Sequence, residues 1–516
     1  MNKKLPICVA VAAALAAGPV LADEREDLET LRQTTLNLIQ ALVQTGILTQ
    51  EKADALIAEA KRAAVQATAP GGERRVVRVP YVPQTVRSEI KEELRSEVLA
   101  QAKAEGWAAP NAVPSWAEGM KWESDIRVRY QYDRFDRNNF SPLQLSSLDD
   151  PITVGNSQND NSRLRARLRF GMEKQMGDMT TVGFRVATGS LTDPLSTNQT
   201  MGNSFDRYAL GVDKAYMTLQ PATWLALTGG RMANPFLGTD LVWHADLNFD
   251  GIAIAIKPQL ADNVDAFFTT GVFPVMKLDP SPTSSAQSKW LYAYQAGVQW
   301  QPARTTVKAA LALYDYHHVE GIANPDDSGA QNPGPYDSTA PQFKQKGNSL
   351  FQINVAQVGA NGTGSLFGLA SKFREADFTA SVDVANLDPI HVIATADYVK
   401  NIGFDRAEIL NRTGRDLEPR TRGYMAKLLV GTPAISRRGE WQVFGAYKYL
   451  QRDAVLDAFT DSDFRLGGTD AKGYIIGGAY GIDKNTWLSL RYLSADPIDG
   501  PPYSVDTLQF DLNARF

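Results

Sequence analysis

From Ser162 to Phe170 the chain reads SRLRARLRF, so that Arg163, Arg165, Arg167 and Arg169 alternate with Leu164, Ala166, Leu168 and Phe170. In an extended strand every second side chain lies on one face, successive members standing about 6–7 Å apart. Four guanidiniums in such a column repel one another, and burying them unpaired in a dry core would be prohibitive. They need water or carboxylates in front of them. If Leu164, Leu168 and Phe170 face lipid, the arginines face an enclosed interior that is wet or acid-lined. Arg127 and Arg129 continue the pattern opposite Ile126, Val128 and Tyr130, and Arg185 does so opposite Val182, Phe184 and Val186. Seven arginines thus line one arc of an inner wall. A cationic arc inside a low-dielectric tube focuses potential and concentrates anions. One outcome is guidance of anionic solutes such as phosphate or carboxylates. In another the column faces acidic residues on an inward loop, giving a transverse field and mild selectivity. In a third the arginines are structural parts of a plugged tube.

Nucleophilic chemistry finds less support. A hydrolase needs a nucleophile with a positioned histidine and an acid, and the four histidines are His244, His317, His318 and His391. His244 and the pair His317-His318 fall in or beside loop-like segments. His391 opens a strand in phase with Thr395 and Asp397, without an evident serine partner. Two adjacent histidines with no third ligand make a weak metal site. The sequence therefore assigns no catalytic residue, metal or cofactor.

The elements that must hold the arginines are strands. The last thirteen residues, SVDTLQFDLNARF, place Leu508, Phe510, Leu512, Ala514 and Phe516 on one face and Thr507, Gln509, Asp511, Asn513 and Arg515 on the other. A terminal strand of this kind would leave an open edge unless the sheet closes, and in a membrane closure is compulsory because unpaired backbone groups cannot be left in hydrocarbon. Phe510, Leu512 and Phe516 are the candidate closure and assembly signal, with the last strand pairing to the first near Trp122. Amphipathic segments of about ten residues, the length that crosses an outer membrane when tilted, recur near 122–134, 162–174, 179–189, 211–220, 223–232, 249–257, 263–273, 290–301, 304–316, 376–387, 390–401, 421–431, 440–451, 471–482, 485–495 and 504–516. Short connections such as Pro221-Ala222 and Asp388-Pro389 alternate with long polar ones at 135–161, 190–210, 274–289, 317–375, 402–420 and 452–470. The second half of 317–375, with LFQINVAQV and SLFGLASKF, is either a loop folded inward or a further hairpin. The expected fold is an all-β transmembrane antiparallel barrel of about 16 strands, with 18 possible. Aromatic residues near strand ends, among them Trp224, Trp300, Trp441 and Trp487, suit interfacial girdles.

Ahead of the barrel the chain changes character. Residues 1–22 have an export-signal pattern, with Lys3 and Lys4, an apolar run and Val20-Leu21-Ala22 before Asp23. Cleavage there removes Cys8, the one cysteine, and leaves 51 basic against 58 acidic residues, a formal charge of −7. Disulfide and thiol chemistry are then excluded, and nothing suggests nucleic acid. Within 23–69, Leu28, Leu31, Leu38 and Leu42 mark a short coiled-coil seam and are the oligomerisation candidates; an intramolecular helical hairpin fits equally. The linker 70–85 carries Arg74, Arg75 and Arg78, which suit a solvated segment or a contact with anionic cell wall. Residues 86–121 form a helix and connector, and 122–516 the barrel. Both barrel ends fall on the short-turn side, which places the preamble in the periplasm.

GILTQEKADALIAEAK at 46–61, DPIHVIATADYVKNIGFDR at 388–406 and the terminal FDLNARF resemble the putative porin family of Gram-negative outer membranes, in which a helical preamble precedes a barrel. The resemblance implies passive diffusion of small hydrophilic solutes and, as in porins generally, a homotrimer in outer-membrane lipid. It supplies no substrate residues. The alternatives are a plugged barrel that anchors the preamble to the cell wall and, more remotely, an outer-membrane hydrolase.

Overall fold

In a computed structural model of the chain, residues 119–279, 281–325, 334–354 and 364–516 are described, with the isolated helical position Ala58. The export signal, the seam through Leu28, Leu31, Leu38 and Leu42, the arginine-bearing linker and the helix expected from residue 86 lie outside the described residues.

Sixteen antiparallel strands follow one another around a closed ring: β1 (Met120–Phe135), β2 (Asn161–Met176), β3 (Thr180–Thr188), β4 (Leu210–Ala222), β5 (Leu225–Ala233), β6 (Asn248–Ile256), β7 (Val264–Met276), β8 (Lys289–Trp300), β9 (Thr305–His317), β10 (Arg374–Leu387), β11 (Ile390–Asn401), β12 (Arg422–Gly431), β13 (Trp441–Leu450), β14 (Ala471–Asp483), β15 (Thr486–Pro497) and β16 (Val505–Arg515). The ring closes where β1 pairs with β16, from Asp125 opposite Arg515 to Phe135 opposite Val505. Closure leaves no sheet edge, which answers the problem posed by the terminal strand.

Along β1, β2 and β16 the burial pattern is inverted relative to a barrel with an apolar core. On β16, Phe510 is 44% exposed while Gln509 is 0% exposed. On β1 and β2, Ile126, Val128, Tyr130, Leu164 and Phe170 point outward, and Arg129, Gln131 and Asp133 are buried inside. Polar groups inside and apolar groups outside are stable only where the outside is hydrocarbon. Exposed Trp122, Trp224, Trp300 and Trp441 stand at the short-turn ends of their strands, whereas exposed Tyr398, Tyr424, Tyr447 and Tyr474 stand toward the long-loop ends.

The segment 318–373 does not add a hairpin to the ring. Leu350–Gln352 pairs with Phe367–Leu369 in a separate two-stranded sheet. Leu350, Phe351, Ile353 and Leu369 are buried against other loops and the inner wall, not turned to lipid. The count is therefore sixteen, and the eighteen-strand variant is set aside because these apolar side chains have an internal face to cover.

A second inward segment has no counterpart in the sequence reading. Residues 234–247, between β5 and β6, fold into the lumen: Leu237 exchanges both backbone hydrogen bonds with the Gln295 side chain on β8 (2.8 and 2.7 Å), and Thr239 Oγ1 donates to Asp397 on β11 (2.5 Å). Its Leu241, Val242 and Trp243 pack with Phe249, Phe273, Leu291 and Tyr314 of the wall and with Val455 and Leu456 of the loop between β13 and β14. Trp243 meets the rings of Phe249 and Tyr314 edge-on, each at 4.9 Å between centroids. The two loops are tied together through His244 N to Phe459 O (2.8 Å) and Thr460 Oγ1 to Leu241 O (2.8 Å).

Candidate functional site

The register of β1 and β2 sets Asp125 opposite Arg169, Arg127 opposite Arg167, Arg129 opposite Arg165 and Gln131 opposite Arg163. Because inward positions recur every second residue, this pairing gathers six of the seven expected arginines into one two-strand ribbon, and Arg185 on β3 joins from the side. All seven face inward.

Most of them meet carboxylates. Arg163 pairs with Asp133 (2.8 Å), and Arg167 and Arg169 share Asp125 (2.7 and 2.6 Å). Arg129 binds Asp511 through Nε and Nη2 (2.7 and 3.0 Å), a forked geometry that fixes the guanidinium plane. Arg185 bridges Asp213 (2.6 Å) and Glu123 (2.7 Å), and Glu123 also holds Lys214 (2.9 Å). Two further carboxylates arrive on the inward loops. Asp246 reaches Arg169 (2.9 Å) and Arg167 (3.7 Å), and Asp463 reaches Arg129 (3.5 Å) and also pairs with Arg491 of β15. Burial works to raise the pKa of Asp463, but the guanidiniums of Arg129 and Arg491 outweigh it and hold the carboxyl well below its usual range. Asp246 is likewise lowered against its burial by Arg167 and Arg169. Both stay ionised at neutral pH.

Two arginines differ. Arg127 and Arg165 make no ion pair among the described residues; Arg127 donates to the Asn198 side-chain oxygen (2.5 Å) and Arg165 to Ser196 Oγ (3.2 Å), and the Nε of each is buried without a partner. Nine cationic side chains in this network (the seven arginines, Lys214 and Arg491) face seven carboxylates (Glu123, Asp125, Asp133, Asp213, Asp246, Asp463 and Asp511), an excess of two. Acidic partners on inward loops are the second of the outcomes expected from the sequence; Asp463 lies on the loop between β13 and β14, and Asp246 on the segment 234–247, whose one signal is Phe236, Leu237, Leu241, Val242 and Trp243 in a place where an exposed loop would be polar.

The inward loops also bring together a serine and a histidine. Ser462 Oγ lies 3.1 Å from His244 Nε2, and His244 Nδ1 accepts the backbone N–H of Asp246 at 3.0 Å. An imidazole that accepts at Nδ1 carries its proton on Nε2, so it donates to Ser462 and cannot act as the base toward that hydroxyl. His391 pairs with Asp383 (2.7 Å), and His317 lies 3.4 Å from Asp315, neither beside a nucleophile.

Toward the long-loop end the lumen contains a cavity of 740 Å³ between Thr188, Asp193, Arg231, Trp243, Phe273 and Phe343. The loop that closes beside it titrates. Asp453 and Asp457 between β13 and β14 are pushed up to about 6 by burial, with Ser349 hydrogen bonds and the Lys344 charge only partly opposing it. A carboxyl whose folded pKa exceeds the unfolded one favours the docked state below the unfolded pKa, and that contribution is lost as pH rises through about 6. Each is worth on the order of 1–3 kcal/mol. Limited proteolysis within 451–470 is therefore expected to slow on going from pH 7.5 to pH 5; faster cleavage at pH 5 would contradict this sign.

A family model described as Putative porin matches residues 32–516. No curated protein matches the chain. Among solved structures it is similar to OprB of Pseudomonas putida (10% identity, TM-score 0.46, covering 78% of this chain and 95% of that one). It is also similar to the outer membrane channel DcaP of Acinetobacter baumannii (12%, TM-score 0.38, 77% and 97%) and to a loop-deletion mutant of OmpT, an outer membrane protein of Vibrio cholerae (10%, TM-score 0.39, 77% and 100%).

Proposed function

The chain belongs to the putative porin family, an outer-membrane porin by that membership, and from this premise we propose that its lumen passes small hydrophilic solutes by passive diffusion and prefers anions. The observation that carries the preference is the excess of two cations in the arginine network, located at Arg127 and Arg165. Paired arginines and carboxylates cancel at a distance and act as a transverse field across the bore. Unpaired ones add a net positive potential where a low-dielectric wall strengthens it. Phe510, Leu512 and Phe516 fit a role in closing and assembling the barrel, since Phe510 and Leu512 turn outward on the strand that seals the ring. A trimer, and a periplasmic preamble in contact with the cell wall, complete the reading.

The second reading, a filled barrel that serves as an anchor, draws on the apolar cluster by which Trp243, Leu456 and their neighbours occupy part of the lumen. Single-channel recording separates the two. The diffusion reading expects steady ohmic steps from the purified barrel in planar bilayers. Membranes with the protein inserted and no steps above the leak would favour the filled barrel.

A further inference from the structure

Five charged side chains line the cavity of 740 Å³ at the long-loop end, and three of them have charged partners. Arg231 binds Asp250 (2.8 Å) and donates from Nε to the Asp213 carbonyl (3.0 Å), while the Asp213 carboxylate holds Arg185 (2.6 Å) and the Asn248 side chain (2.7 Å). The other two are Asp193, in the loop after β3, and Lys289, the first residue of β8. Neither makes an ion pair among the described residues. Asp193 accepts the backbone N–H groups of Leu195 (2.9 Å) and Ser196 (3.2 Å) through Oδ1, and its Oδ2 has no hydrogen bond among the described residues. Lys289 is 4% exposed and directs two of its three N–H groups to the carbonyls of Thr339 (2.9 Å) and Ala340 (3.0 Å). Glu320, the acid whose charge acts on Lys289, is itself bound to Lys372 (4.0 Å). A buried ammonium held by neutral dipoles alone lacks a counter-charge, and supplying one is favourable.

The rest of the lining is largely apolar, with Trp243, Phe273, Leu291, Phe343 and Phe459 among its members. An aromatic lining with a few polar groups, in a space of about 300–1,000 Å³, is the usual composition of a small-molecule site. Asp193 and Lys289 stand on either side of the strands β4 to β7, so they suit the two ends of an extended chain better than the adjacent groups of one amino acid. A compact space of this volume is about 11 Å across, the length of three extended residues at about 3.3–3.6 Å each. We propose that the cavity binds a zwitterionic tripeptide with apolar side chains, its ammonium on Asp193 and its carboxylate on Lys289. The inference deepens the diffusion reading above, on which it rests, by naming a class of solute that is held in the lumen. A simple anion would answer Lys289 and leave Asp193 without a partner, and a simple cation would do the reverse. An uncharged apolar solute would answer neither.

The test is calorimetric titration of the folded barrel in detergent with trileucine, N-acetyl-trileucine, trileucine amide and triglycine. Trileucine is expected to bind at one peptide per chain. Each of the other three should bind at least about tenfold more weakly, because each lacks the ammonium, the carboxylate or the apolar side chains. Asp193→Asn should lower the affinity for trileucine to that of the acetylated peptide and leave the acetylated peptide unaffected. Lys289→Gln should do the same with the amide. If Lys289→Gln fails to assemble, the amide on wild type reads the same contact, and Lys289→Arg should retain binding. Free and acetylated peptides binding alike, triglycine binding as tightly as trileucine, or a folded Asp193→Asn barrel with wild-type affinity would overturn the proposal. Calorimetry needs no current, so the two readings fail separately. Ohmic steps without trileucine binding would remove the tripeptide and leave the channel, whereas trileucine binding to a barrel that passes no current would remove the channel and leave the site.

Discussion

Trp243→Ala is expected to raise single-channel conductance several-fold while leaving the barrel assembled. Trp243 is buried between Phe249 and Tyr314 of the wall and faces Phe459 of the neighbouring loop at 6.3 Å. Removing a buried indole costs about 3–5 kcal/mol, and edge-on aromatic contacts add about 0.5–1.5 kcal/mol each. That loss falls on the docking of 234–247, whose other anchors are the Gln295 and Asp397 hydrogen bonds, the bonds to Phe459 and Thr460, the packing of Leu241 and Val242, and the Asp246 ion pairs at its far end. Each neutral hydrogen bond is worth only about 1 kcal/mol net, so the part of the loop around Trp243 loosens from the wall while the Asp246 ion pairs tether its far end. The strand ladder does not pass through Trp243, so the variant should keep the heat-modifiable gel mobility of a folded barrel. Unchanged conductance in a folded variant would mean that this loop does not narrow the path.

Arg127→Ala combined with Arg165→Ala is expected to abolish most of the ion preference. A charge about 8 Å from an ion contributes about 0.5 kcal/mol even at the dielectric constant of water. Two such charges act with opposite sign on anions and cations, about 2 kcal/mol in all, so the anion-to-cation permeability ratio should fall by roughly thirtyfold at low salt. At 1 M salt, where the screening length is about 3 Å, the change should shrink. Asp246→Asn should move the ratio the other way, because it frees Arg167 and Arg169 of one of their two carboxylates. Replacing all of Arg163, Arg165, Arg167 and Arg169 with alanine removes three paired arginines together with one unpaired one. It leaves Asp133, Asp125 and Asp246 short of partners and should drive the bore toward cations.

Much of the architecture is legible in the chain because a membrane imposes its rule residue by residue. Alternation at Leu164 to Phe170 and at Thr507 to Phe516 reports which face meets hydrocarbon, a mark that weakens on β6 to β9, whose inner faces are apolar too at Phe249, Phe273, Leu291 and Tyr314. The orientation of the seven arginines follows from their apolar neighbours alone. Their partners do not. Arg129 and Asp463 are 334 residues apart, and Arg169 and Asp246 are 77 apart. Such pairings depend on how two loops fold back into a closed ring, which leaves no periodic trace. The same holds for 350–369, where an apolar composition suits either a lipid-facing hairpin or a buried loop, and only the available internal surface decides between them. The separation of Arg127 and Arg165 from the rest is likewise invisible in SRLRARLRF, since it reflects which carboxylates reach which rung.

The arginine network and the two faces of the ring together imply a conducting, net-positive bore. The most direct measurement is the zero-current potential of the wild-type barrel in a planar bilayer under a tenfold KCl gradient at low ionic strength. A potential with the sign of chloride selectivity is expected. A potential of the opposite sign would contradict the assignment of the excess charge, and a sealed membrane carrying folded protein but no current would contradict the channel itself.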